Sequence, residues 1–266
     1  MGSRTLRFIF MDEAGISDAP QETVRIVAGI IVDADSQLTV AETAMKELLR
    51  TVPKQFQAKF VFSAKDVWNN PQYRGVWSQT DRLRLLKNIM SLPHRLGLPI
   101  AYGRINRGQE PHEGLSGLGM TGNQQEHFHA FTGCIAQADK WIRQFARVGE
   151  IGTVVAEEPA GMKKWLKFST RMFKTAMHFE KVAWTEQDKA QGYCSQETDM
   201  LITRTRGTVH FVDKADEPVI WIADACAYGM RRFHEKQSFG DEMMAAVHGR
   251  PVSHGEYPSS TSFGFF

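Results

Sequence analysis

The chain has 266 residues, 42% of them hydrophobic and 23% charged, with a formal net charge of +2. That is an ordinary globular composition, long enough to bury a substantial core, and no apolar run approaches the ~18 residues of a membrane span. The cysteines Cys134, Cys194 and Cys226 are few and far apart, which argues against a disulfide framework or a zinc knot and for a reducing compartment. With so little net charge, any affinity for nucleic acid has to come from local patches.

Residues 1–7 run straight into an apolar strand and leave no room for a signal peptide, so a cytoplasmic protein is expected. Arg7-Phe8-Ile9-Phe10-Met11 carries bulky apolar residues on both parities, the pattern of a central strand covered on both faces. It ends in Asp12 and Glu13, then in Ala14-Gly15, where the chain can turn. Any strand can stop at a polar turn. Here, however, two later segments repeat the design: Val154-Val155-Ala156 runs into Glu157-Glu158, and Ile220-Trp221-Ile222-Ala223 into Asp224.

After a polar loop, residues 23–32 form a β-branched second strand, and the short connection suits an antiparallel pair. Residues 40–49 read as a helix, 60–68 as a compact aromatic segment closed by Asn69-Asn70-Pro71, and 80–90 as a second helix stopping at Leu92-Pro93. A third strand is expected over 98–105. The glycine-rich stretch 106–123 has no apolar periodicity and reads as a loop or lid inserted in the domain.

Residues 124–145 place Phe128, Phe131, Ile135, Ala138, Ile142 and Phe145 on one helix face. Glu126, His127 and His129 on that helix invite a metal reading. Positions i and i+2 point to different sides, so helix geometry favours a structural role for both histidines. A fourth strand over 149–156 precedes a helix over 162–181, where Lys163, Lys167, Arg171 and Lys174 make one basic stripe. Without interleaved acids, such a stripe is as fit to follow a phosphate backbone as to be a solvated face. A fifth strand over 208–213, a turn at 214–218 and a helix over 219–234 complete the regular elements. The tail, 239–266, receives no role. Neither a repeat nor a low-complexity linker divides the chain, so residues 4–238 read as one domain.

Three segments, in this order, resemble the bacterial and phage family known as domain of unknown function 3800, or DUF3800. They are Phe10-Met11-Asp12-Glu13-Ala14-Gly15, Phe62-Ser63-Ala64-Lys65-Asp66-Val67, and Phe211-Val212-Asp213-Lys214 followed by Ile222-Ala223-Asp224. The resemblance spans roughly residues 7 to 234. It implies an α/β fold of the RNase H-like, retroviral integrase-like kind: a mixed five-stranded sheet in the order 3-2-1-4-5, flanked by helices. In such a sheet the ends of the first and fourth strands are neighbours and the last helix brings its acid towards them, so Asp12, Glu157 or Glu158, and Asp224 would converge. Two positions depart from the family's pattern: Ala14 stands for the usual Ser, and Ser63 for the usual His.

Carboxylates converging from separate elements repel one another and favour either a proton or a hard cation. An all-oxygen set suits Mg²⁺ or Mn²⁺, and the RNase H-like pattern uses two such ions about 3.5–4 Å apart. The resemblance thus implies Asp12 as bridging ligand and Glu157 and Asp224 as the other catalytic ligands, with Asp213, Glu13 and Glu158 as auxiliary candidates. Lys214 would contact phosphate or pair with Asp213. The leading expectation is a divalent-metal-dependent nuclease acting on DNA or RNA. The alternative is a catalytically inactive binding module of a mobile-element or defence system, working with a partner protein or as a homo-oligomer. A phosphoesterase for a small nucleotide is the third.

Overall fold

The computed structural model describes residues 6–17, 22–108, 119–158, 161–172, 202–257 and 261–266. Its centre is β1 (Leu6–Ala14), antiparallel to β2 (Val24–Asp33) with Phe10 opposite Ile30. On the other side β1 runs parallel to β4 (Ile151–Glu157), with Phe10 beside Val155. Outward from β2 lies β3 (Ile100–Asn106), antiparallel to it, and outward from β4 lies β5 (His210–Val212), parallel to it.

The sheet has six strands rather than the five expected, in the order β5-β4-β1-β2-β3-β6. The extra strand, β6 (Ser262–Phe265), comes from the tail and pairs antiparallel with β3. Its Ser-Phe-Gly-Phe sequence has no β-branched residue to announce a strand. Gly264 is needed there because a side chain would meet the Tyr102 ring at 2.9 Å. The rest of the tail supplies a helix and a short turn, so it is built into the fold.

The helices, in chain order, are α1 (Leu38–Leu49), α2 (Lys54–Gln57), α3 (Ala64–Asn69), α4 (Gln79–Met90), α5 (Leu92–Leu96), α6 (Gly122–Phe145), α7 (Lys163–Met172), α8 (Ile220–His234) and α9 (Gly240–His248). They cover both faces of the sheet. Phe10 and Ala14 of β1 belong to a core shared with α1, α4, α8 and α9, whereas Ile9 and Met11 belong to a second core shared with α6 and α7. This is the two-parity burial expected of β1, and each large apolar side chain so enclosed contributes about 1.5–3 kcal/mol. Strand alternation therefore sends Asp12 to the α8 face and Glu13 to the α6 face.

Close packing makes the two layers possible. Every residue of α8 from Ile220 to Phe233 is buried, and Ala223 and Ala227, on the side of the helix that carries Asp224, let its backbone lie close on β1 and β2. On the opposite face, a Cβ at Gly103 would stand 2.0 Å from the Ala130 carbonyl oxygen of α6. Thr121 starts α6 with a reciprocal cap shared with Gln124. Gly15 ends β1 at a φ of +84°, and a side chain there would strike the Val24 carbonyl. Among the described residues no helix is long and apolar enough to cross a membrane. Residues 109–118 of the expected loop or lid, and residues 173–181 of the expected basic helix, lie outside the described residues.

Candidate functional site

The site begins with strand parity. Phe10 and Val155 sit side by side on the α8 face, so the residues two further along, Asp12 and Glu157, emerge together at the same rim. Val212 of β5 pairs with Glu157 and faces the same core. Two residues beyond it comes Lys214, in the turn that leads to α8. From α8 itself, Asp224 projects back towards the strand ends.

These four groups meet at the Lys214 ammonium. Its Nζ lies 2.6 Å from Asp12 Oδ2, 2.8 Å from Asp224 Oδ2 and 3.1 Å from Glu157 Oε2. Asp12, Asp224 and Lys214 are largely enclosed, whereas the Glu157 side chain is 42% exposed. Two backbone groups help to fix the acids: the Glu13 N–H donates to Asp12 Oδ1 at 2.7 Å, and the Ala64 N–H donates to Asp224 Oδ2 at 3.2 Å.

Electrostatics follow from this enclosure. Burial, then the Asp224 charge, hold the Asp12 carboxyl up at about 7, against the pull of Lys214. Burial also raises Asp224, although Lys214 and the Ala64 N–H oppose it. Glu13 is pushed well above the usual carboxylate range by burial and then by Asp12. Burial would lower Lys214, but Asp224 and Asp12 outweigh it and hold the ammonium above the usual lysine range.

The remaining site candidates are distributed less tightly. Glu13 faces α6, with its Oε1 3.7 Å from His127 Nε2. His127 packs against Phe131 and is lowered to about 3 by burial, then by Arg25, so it sits there as a neutral ring. Glu158 also lines the cavity above the cluster but pairs with Lys163, at 2.8 Å, rather than with Lys214. Asp213 turns outward, is exposed, and accepts the Ala215 N–H at 2.8 Å. On α7, Lys163 and Lys167 lie over the Phe211 ring of β5 at 5.9 and 6.0 Å, and Arg171 is exposed. Lys174 lies outside the described residues.

A cavity of about 450 Å³ opens above the cluster. Asp12, Glu13, Glu157, Asp224 and Lys214 line one part of it, and Lys65, Glu22 and Arg231 another. Arg231 pairs with Glu22 at 3.3 Å and with Glu235 at 3.2 Å, and Lys65 reaches Glu22 at 3.7 Å. Ser63, at the position where the resemblance would have His, also lines the cavity; its hydroxyl caps α3 by accepting the Asp66 N–H at 3.3 Å. Sequence reasoning missed the central place of Lys214. The parity shared by Val212 and Lys214 could have shown it, but a parity argument weakens where a strand ends.

Among the described residues, no three His, Cys, Asp or Glu side chains are gathered closely enough to hold a metal ion as they stand. The donor chemistry nonetheless fits a hard cation. Three carboxylates from β1, β4 and α8 already surround one positive charge, and oxygen is their only donor. No family model, no curated protein and no solved structure matches this chain.

Proposed function

We propose that this protein is a divalent-metal-dependent nuclease of the RNase H-like kind, acting in the cytoplasm on DNA or RNA. The observation that carries the reading is the convergence of Asp12, Glu157 and Asp224 on one enclosed positive charge, at 2.6–3.1 Å, beneath an open cavity. Supporting it, the strands other than β6 run β5-β4-β1-β2-β3, with β1 parallel to β4 and antiparallel to β2. The DUF3800 resemblance rests on the three motifs alone.

Asp12, Glu157 and Asp224 would hold the Mg²⁺ or Mn²⁺. When bound, such an ion activates the attacking water and stabilises the leaving oxygen of an in-line phosphodiester displacement. Around it the protein's own groups have separable parts. The enclosure of Asp12 and Asp224 lowers the local dielectric, which strengthens each charge interaction made there. Lys214 neutralises charge at the centre of the cluster. Lys163 and Lys167, on the helix that follows the Glu157 strand, would supply positive charge for substrate phosphates on the β5 side of the cluster.

The test is incubation of labelled single-stranded and duplex DNA and RNA with the protein in Mg²⁺ or Mn²⁺. Cleavage is expected, abolished by EDTA and by Asp12→Asn. A second reading, an RNase H-like binding module without catalysis, is favoured by one observation: Lys214 fills the space between the carboxylates. Nucleic-acid binding without cleavage in either ion would select it.

A further inference from the structure

The central lysine changes how many ions the site can take. We propose, building on the nuclease reading, that Lys214 occupies one of the two cation positions expected of an RNase H-like centre, so that the cluster holds a single divalent ion beside a fixed ammonium.

Three observations lead there. Lys214 Nζ approaches all three ligand carboxylates at once, at 2.6, 2.8 and 3.1 Å. A side chain that had merely folded back from solvent would satisfy one acid, or two, and stay exposed. Lys214 is only 12% exposed.

The backbone beneath it is pinned as well. The Trp221 indole N–H donates to the Lys214 carbonyl at 2.7 Å, and Trp221 is itself buried and stacked on Phe62. Asp213 closes the same turn through the Ala215 N–H at 2.8 Å, and its carbonyl accepts the Asp216 N–H at 3.0 Å. A lysine held at both its backbone and its ammonium is a permanent part of the centre.

Charge balance supplies the third argument. Glu13 lines the same cavity, but its carboxyl is turned to His127 rather than to Lys214, which leaves three carboxylates on the ammonium. One ammonium and one divalent ion neutralise them. A second divalent ion would make the enclosed centre net positive before any substrate arrived, and buried uncompensated charge is costly. Lys214 is thus a positioning residue that sets ion number. Its ammonium is a hydrogen-bond donor where a second ion would be a Lewis acid.

The experiment counts Mn²⁺ bound to the full chain, by equilibrium dialysis and by electron paramagnetic resonance, in wild type, Lys214→Met and Lys214→Arg. One magnetically isolated Mn²⁺ per chain is expected in wild type and in Lys214→Arg. Two Mn²⁺ with spin coupling are expected in Lys214→Met. A coupled pair in the wild-type protein overturns the proposal and leaves the nuclease reading standing, as does a single ion in a folded Lys214→Met. No Mn²⁺ on the wild-type protein overturns both. The wild-type count does not depend on how well a variant folds.

Discussion

Lys214 Nζ lies 2.6 Å from Asp12 Oδ2, joining positions 202 residues apart in the chain. The contact ties the end of the central strand to the turn before α8, and it fixes what each substitution should do. Removing one carboxylate leaves the ammonium with two. Removing the ammonium leaves three carboxylates facing one another, two of them buried. Lys214→Met should therefore cost about 3 kcal/mol in EDTA at neutral pH, the scale of breaking a buried ion pair. Asp224→Asn should cost clearly less. Urea denaturation of the two variants decides the matter, and equal losses would show that Lys214 does not hold the cluster together. The Glu157 leg is screened by solvent and should matter least.

A second prediction concerns Asp139 of α6, which is fully buried and accepts the backbone N–H groups of Thr203, Arg204 and Thr205 at 3.1, 2.6 and 2.6 Å. The Arg143 guanidinium lies 3.2 Å from the same carboxylate. This anchor holds the approach to β5, and so the turn bearing Lys214. Asp139→Ala strands several buried donors, and each costs about 1–3 kcal/mol when left unsatisfied. A loss of about 3 kcal/mol is expected, with Asp139→Asn intermediate because its amide oxygen still accepts. Denaturation midpoints at constant slope are the measurement, and an alanine variant as stable as wild type would refute the anchor.

The pH dependence of stability should carry two opposed contributions. His234 is lowered to about 3, by burial, then by Arg104 and His254, and His248 to about 4, by burial, then by Arg250. Each stays neutral in the fold while the unfolded chain takes up a proton near 6.5. Their contribution is complete above that value and is lost as pH falls from about 6.5 towards 4. Asp12, held up at about 7, works the other way: the fold retains its proton where the unfolded carboxyl has released it. Stability from this group is present at low pH and is lost as pH rises from about 4 through 7. In metal-free unfolding experiments, His234→Gln should flatten the acid limb and Asp12→Asn the neutral one. Parallel pH profiles for both variants and wild type would show that neither group titrates as described.

For the basic stripe, the double reversal Lys163→Glu and Lys167→Glu should weaken binding to nucleic acid whatever its sequence. Both residues flank Phe211 on the β5 side of the cluster. Every phosphate that goes unneutralised should reduce the slope of log K against log salt by roughly 0.7–0.9. Folding should be little changed, since Lys163 is exposed and Lys167 partly so, and such surface charges contribute little. Lys163 also meets Glu158, so its reversal adds a local repulsion to the missing positive charge. An unchanged salt slope would return α7 to the status of a solvated face.

Much of this arrangement is legible in the sequence, for definite physical reasons. Apolar residues on both parities of β1 mark it as central, and the alternating burial of Ile9, Phe10 and Met11 between two cores bears that out. The helix expected over 219–234 forms as α8, and it is buried from Ile220 to Phe233. The sixth strand is hidden because pairing with β3, rather than local propensity, makes Ser262–Phe265 extended. The meeting of Lys214 with three acids is hidden for a similar reason. It depends on where separate elements end: the parity of Val212 and Lys214 hints at the Glu157 leg, but nothing in the spacing brings Asp12 and Asp224 to the same ammonium.

The central claim is that Asp12, Glu157 and Asp224 form one hard-cation site, and calorimetric titration with Mn²⁺ tests it most directly. The wild-type chain should bind Mn²⁺ with measurable heat. Asp12→Asn and Asp224→Asn should each weaken that binding by at least about tenfold, or about 1.4 kcal/mol, while Glu158→Gln leaves it unchanged. Absence of Mn²⁺ binding to the wild-type chain, or equal affinity in all four proteins, would contradict the site.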